Sequence, residues 1–164
     1  MHVGEIKYTP IGVIRTKFTD AKNTPVQGVF AKDAQGKVEV FPEYAAGLKD
    51  IDGFSHIILI YHFHLARGYS LGVKPFLDDR ERGIFSTRHF NRPNSIGLSM
   101  VRLDKVRGNI LEIGEVDIID GTPLLDIKPF VQQFDDRIDV KSGWVDGRNL
   151  ELIKDKPPQT SRKW

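Results

Sequence analysis

The run FSHIILIYHFH, Phe54 to His64, constrains this chain most. Successive side chains of a strand point to opposite faces. Apolar residues sit here on both parities, with β-branched Ile57, Ile58 and Ile60 in the middle. That pattern predicts a strand covered on both faces, at the centre of a sheet. Such a strand needs hydrogen-bonded neighbours on both edges, and the rest of the chain offers them. IGVIRTKF (Ile11–Phe18) opens with Ile11, Val13 and Arg15 on one parity and Ile14 offset. GKVEVF (Gly36–Phe41) alternates Val38 and Val40 with Lys37 and Glu39. A short strand is expected near Val29. Residues 95–130 supply two or three further strands, with Arg107-Gly108-Asn109 as a hairpin turn. Leu111 and Ile113 share one parity and Val116 and Ile118 the other, which makes Gly114 a bulge candidate.

Helical signals are few. Pro42 suits a first helical position and Gly47 or Gly53 a stop, so one or two helical turns are expected between them. Residues 65–83 read as loop. Strands do not alternate with helices, and no glycine-rich nucleotide fingerprint follows a strand. The expected fold is all-β, or β-rich: a single closed or partly open β-barrel with short helices, not a Rossmann-type sheet, because closure removes exposed strand edges. Periodicity fades after Phe134. The expected division is a domain over residues 1–140 and a C-terminal tail over 141–164, its polar end KDKPPQTSRKW poorly ordered.

Composition narrows the chemistry. The chain has 164 residues, 40% hydrophobic and 28% charged, an ordinary globular balance. It has no cysteine, which excludes disulfides, thiolate metal sites and a cysteine nucleophile. No signal-like N-terminus and no apolar run of membrane-spanning length are present, so a cytoplasmic location without membrane contact is expected. Net charge is +2, so nucleic-acid binding would need a local basic patch.

Four places carry candidate chemistry. His56, His62 and His64 share a parity, and His-x-His can offer two ligands to zinc. Catalytic zinc takes three protein ligands, however, and no third is readable. Imidazoles hydrogen-bonded at a core edge are the plainer reading, and no metal is expected. Asp120-Gly121-Thr122-Pro123 has turn chemistry. It is either a tight connection or a corner presenting backbone polar groups and a carboxylate to an adenine edge, ribose hydroxyls or an ammonium. Thr24–Gly28 places Gln27, both donor and acceptor, beside a glycine that permits close backbone approach. IFSTRHFNRPNSIGLS (Ile84–Ser99) holds Arg88 and Arg92 in an Asn/Pro-rich turn. Their planar forks suit carboxylate or phosphate, or they pair with nearby Asp78, Asp79 or Glu81.

In order, IGVIRT, TPVQ, VEVFPEYAAGLKDIDGFSHIILIYHFH, GIFSTRHFNRPNSIGLS and DGTPLLDIKP resemble the TsaA/YaeB-like (UPF0066) family, which includes TrmO-type tRNA methyltransferases. The resemblance spans roughly Ile11 to Phe134. It implies a β-barrel, S-adenosyl-L-methionine-dependent methyltransferase acting as a homodimer on tRNA, at the exocyclic nitrogen of threonylcarbamoyladenosine in position 37. Motif matching implies cofactor contacts at Pro25, Val26, Gln27, His64, Leu65, Arg88, Leu98, Asp120, Gly121, Thr122 and Pro123. His64 and Asp120 become candidates for the catalytic base, and Arg88, Arg92, Asn94 and Lys128 for substrate contacts. Pro25-Val26-Gln27 stands where the family reads Pro-Arg-Gln, so Val26 replaces its arginine, and Ser95 stands where it reads proline. The alternative is an S-adenosylmethionine-binding regulator, or a methylase of a small molecule, without tRNA activity.

Overall fold

The computed structural model describes residues 4–21 and 23–150. Six strands close into an antiparallel barrel: β1 (Gly12–Thr16), β2 (Gln35–Val40), β3 (His56–His62), β6 (Ile96–Arg107), β7 (Ile110–Gly114) and β8 (Thr122–Pro129). Around the barrel they run β1-β2-β7-β6-β3-β8, and β8 pairs back onto β1. Two short strands, β4 (Gly72–Val73) and β5 (Arg82–Gly83), make a separate ribbon within the segment expected as loop. The barrel bears out the expected fold class.

The interior is set by alternation. Ile57, Leu59 and Tyr61 of β3 point inward and are buried, beside Ile14, Val38, Val101, Leu111 and Leu124 from the other strands. Ile14, the offset residue of its segment, is the inward one. β3 is central, hydrogen-bonded to β6 on one edge and β8 on the other. It is not covered on both faces: Ile58 and Ile60 point outward and are half-buried. In a closed barrel only the inner face has a core to meet.

Turn chemistry accounts for most connections. Pro42 opens the 3₁₀ turns Pro42–Leu48, and a second turn covers Ile51–Gly53. Gly108 and Asn109 join β6 to β7 as a hairpin. Two expectations fail locally. Residues Gly28–Phe30 form a 3₁₀ turn rather than a strand, because Gly28 lies against the Glu115 carbonyl and no strand runs beside Val29. The bulge falls at Asp104 of β6, where the register with β7 slips; Gly114 instead pairs with Arg102 and ends its strand. The parity switch between Ile113 and Val116 comes at Glu115, whose φ is 59°. That kink returns Val116 and Ile118 to the core although they belong to no strand.

Beyond the helical turn Gln132–Asp135, the chain folds back through the turn Gly143–Val145. The polar stretch KDKPPQTSRKW lies outside the described residues. Among the described residues, no helix is long and apolar enough to cross a membrane.

Candidate active site

A cavity of about 860 Å³ opens where β3 ends and β6 begins. That is within the usual range for small-molecule sites. The ladder between β3 and β6 makes its floor. There Tyr61 faces Gly97, whose added Cβ would fall 2.2 Å from the Tyr61 ring, so only glycine lets the ring cross. One row further in, Ser99 also points inward.

The floor carries a polar chain. The Ser99 hydroxyl donates to Asp117 Oδ1 at 2.7 Å. Its single proton is thereby used, so the Tyr61 hydroxyl, 3.0 Å away, is the donor to Ser99 Oγ. The Gly28 amide also hydrogen-bonds the Asp117 carboxylate, which ties the Thr24–Gly28 loop to the barrel. Burial pushes the Asp117 carboxyl above the usual carboxylate range, against the opposing pull of these donors and of Arg88. Burial, followed by the charge of Asp117, also raises the Tyr61 phenol.

Three distant loops form the walls. Pro25, Val26 and Gln27 line one side, and His64 and Leu65, just past the end of β3, line another. Arg88 joins them from the 84–92 loop, its guanidinium donating to Gln27 Oε1 at 3.4 Å. Leu98, Arg92 and Thr122 also line the cavity. Arg92 does so with its fork engaged: Nη1 donates to the carbonyls of Ile84, Thr87 and His89. It holds its loop together instead of offering a free fork.

The Asp120–Pro123 corner divides. Thr122 alone of the four lines the cavity; alternation along β8 turns Pro123 away, and contacts to β1 hold Asp120 and Gly121. Asp120 Oδ1 accepts the Thr16 amide at 3.0 Å, and Oδ2 lies 4.0 Å from the Arg15 guanidinium. The Gly121 amide donates to the Ile14 carbonyl, and Pro123 pairs with Val13. This half of the corner fastens β8 to β1. Lys128 also stands away from the cavity. It lies opposite Ile58 and ion-paired with Asp126, six residues along β8 from Thr122, roughly 20 Å at strand rise. Asn94 is exposed and does not line the cavity.

Two imidazoles line the cavity, His64 and His89, and His64 is the one beside Thr122. Thr122 Oγ1 gives its proton to the Ile119 carbonyl at 2.7 Å and lies 3.3 Å from His64 Nδ1. Nδ1 is therefore the donor, and Nε2 keeps a lone pair. Burial lowers the His64 pKa, His62 lowers it further, and Asp120 partly opposes both. The ring is neutral at pH 7. Among the described residues, no three His, Cys, Asp or Glu groups come together as a metal site.

A family model described as the tRNA-methyltransferase O N-terminal domain matches residues 13–136. The chain belongs to this family. A probable S-adenosyl-L-methionine-binding protein of Pyrococcus abyssi is 55% identical over 149 residues, covering 91% of this chain and 81% of that protein. The crystal structure of TrmO from Pseudomonas aeruginosa superposes with a TM-score of 0.74 at 34% identity, covering 87% of this chain and 64% of that one. A tRNA (adenine(37)-N6)-methyltransferase of mouse is 32% identical over 142 residues; the match covers 82% of this chain and 33% of the mouse protein. The family region thus ends before Ser142, Trp144, Val145 and Leu150, which nevertheless line the same cavity.

Sequence reasoning missed Tyr61, Ser99 and Asp117. The signal was a polar residue at an inward strand position, Ser99, and a carboxyl between two core residues, Val116 and Ile118.

Proposed function

We propose that this protein is an S-adenosyl-L-methionine-dependent tRNA methyltransferase, acting on the exocyclic nitrogen of threonylcarbamoyladenosine at position 37. The observation that carries the reading is the meeting of Pro25–Gln27, His64–Leu65 and Arg88, from separate loops, with Thr122 of β8 on one cavity of a family barrel. The cavity fits the cofactor chemically. Arg88 suits its carboxylate, Asp117 its ammonium or ribose hydroxyls, and Leu65 and Leu98 flank a flat base.

When bound, the cofactor supplies an electrophilic methyl group. The chain's share is to hold donor and acceptor in line within a largely apolar cavity. The acceptor nitrogen is a weak nucleophile, since its lone pair is delocalised into the base and the carbamoyl group, so removal of its proton helps. His64 suits that task better than Asp120, because Nε2 is neutral and Asp120 is engaged with Thr16. Among the described residues one carboxylate, Asp117, lines the cavity, which limits over-stabilisation of a cationic ground state.

A second copy of the chain is part of the proposal. Ile96, Leu98 and Met100 form an exposed apolar row on the outer face of β6, 38%, 55% and 45% accessible. A row of that kind fits an isologous dimer contact.

Calorimetry with S-adenosylmethionine, then methylation assays on tRNA with and without the threonylcarbamoyl group, test this reading. Saturable cofactor binding and methyl transfer only to the modified tRNA are expected. Cofactor binding with no transfer to either tRNA would leave the regulator or small-molecule methylase in its place.

A further inference from the structure

We infer that the returning segment Ser142–Leu150 and the neighbouring Phe85 form the acceptor side of the cavity, where Trp144 and Phe85 stack on an unpaired base of the RNA. The inference rests on the tRNA-methyltransferase reading above and names the residues that would receive the nucleotide. The segment lies beyond the family match yet contributes four residues to the cavity wall, among them Trp144.

It is fastened by specific contacts. The Trp144 indole donates from Nε1 to the Ser86 carbonyl at 2.8 Å. The Asp78 carboxylate, only 4% accessible, pairs with Arg82 of the β4–β5 ribbon and, at 3.1 Å, with Arg148 of the segment itself. One acid thus clamps ribbon and segment together. Arg82 does not line the cavity, and its guanidinium lies 5.6 Å from the Trp144 ring centroid. The cation backs the indole from outside and leaves the ring a wall of the cavity.

Phe85, one residue before Ser86, also meets a guanidinium, here from the cavity side, since Arg92 lines the cavity and Arg82 does not. Phe85 itself lines the cavity, is 76% accessible, and has the Arg92 guanidinium 5.9 Å from its centroid. Arg92 is itself fixed by three loop carbonyls. Two aromatic rings, each with an immobilised guanidinium beside it, therefore meet at one rim. A large exposed phenylalanine held this way contributes little to the core. A nucleobase is the occupant that uses both features: bases splayed from RNA loops stack on aromatic and guanidinium planes, and the cations draw the phosphates. Pro25–Gln27 and His64–Leu65 are chain segments separate from Ser142–Leu150, and the 84–92 loop joins the two walls, with Arg88 on the donor side and Phe85 on the acceptor side.

The test measures fluorescence anisotropy of a labelled anticodon stem-loop RNA, alongside calorimetry with S-adenosylmethionine, on the full chain and on Trp144→Ala, Trp144→Phe and Phe85→Ala. Trp144→Ala and Phe85→Ala should each weaken RNA binding about tenfold, within the usual range for loss of a base-stacking ring. Cofactor affinity should hold, and Trp144→Phe should recover most of the RNA affinity. Unchanged RNA affinity in both alanine variants would overturn the inference. So would an equal fall in cofactor affinity, which would make this a cofactor wall. Trp144→Phe as weak as Trp144→Ala would show that the bond to Ser86, not the ring face, matters. Wild-type protein that binds cofactor but no RNA would instead sink the tRNA reading itself.

Discussion

A carboxyl set between Val116 and Ile118 must be hydrogen-bonded to be tolerated, and Asp117 is, by Ser99 and the Gly28 amide. Because its pKa is raised on folding, the unfolded chain ionises first. The stability linked to Asp117 is therefore full at low pH and is lost as pH rises through its raised value. Asp117→Asn should remove that loss: above the ordinary carboxylate value of about 4 its melting temperature should slope less with pH than the wild type's. Turnover should nevertheless fall at least about tenfold, since losing a charged hydrogen-bond acceptor costs about 1.5–3 kcal/mol. Thermal melts across pH and initial-rate assays check both halves. His64 has the opposite sign. Its lowered pKa means that protonation, as pH drops below the ordinary histidine value of about 6.5, opposes folding and removes the Nε2 lone pair. The rate profile should show an acid limb below that value, and His64→Gln should abolish the limb along with most of the activity. His64 was legible through motif resemblance. Ser99 and Asp117 were not, because apolar Ile96, Leu98 and Met100 make the outer face of β6 look like the inner one.

At the scale of elements, alternation and turn chemistry made most strands legible, β2 and the β6–β7 hairpin most directly. What they could not show was closure around a particular neighbour. Phe54–His64 reads as covered twice over because Ile58 and Ile60 are apolar, yet a barrel covers it once. Val29 reads as strand, but only a backbone approach by Glu115, distant in sequence, reveals the tight turn there. The bulge at Asp104 likewise depends on how β6 and β7 share the barrel's bend, which neither segment states alone. The pairing of Gly97 with Tyr61 is the element-level contact most open to test. A methyl at Gly97 would lie 2.2 Å from the phenol ring, and the ring is hemmed in by Phe63, 5.4 Å away between centroids. Gly97→Ala should therefore cost about 1–3 kcal/mol, the usual range for overpacking a filled interior. Chemical denaturation should show a lower midpoint at unchanged slope, and cofactor affinity should fall as well, because Tyr61 lines the cavity floor.

For the whole molecule, closure settles where an apolar surface can remain. The closed barrel has no free edge to pair, so association through the barrel itself uses an outer face. The Ile96, Leu98 and Met100 row lies on β6, and β3 beside it carries half-buried Ile58 and Ile60. Leu98 belongs at once to that row and to the cavity wall, so a second copy seated on the row would stand at the mouth of the site. Assembly and catalysis would then be coupled through one strand. Met100 separates them, because it is exposed on the row but does not line the cavity. In a two-fold dimer, Met100→Lys introduces its charge from both subunits into one contact, where a buried unpaired charge is strongly disfavoured. Sedimentation velocity should show a dimer for the wild type and a monomer for Met100→Lys at micromolar concentration. The monomer should melt cooperatively, since its core is untouched, while turnover drops if the mouth of the site needs its neighbour. A wild-type chain that sediments as a monomer throughout would remove the dimer from the proposal and leave the apolar row to another partner.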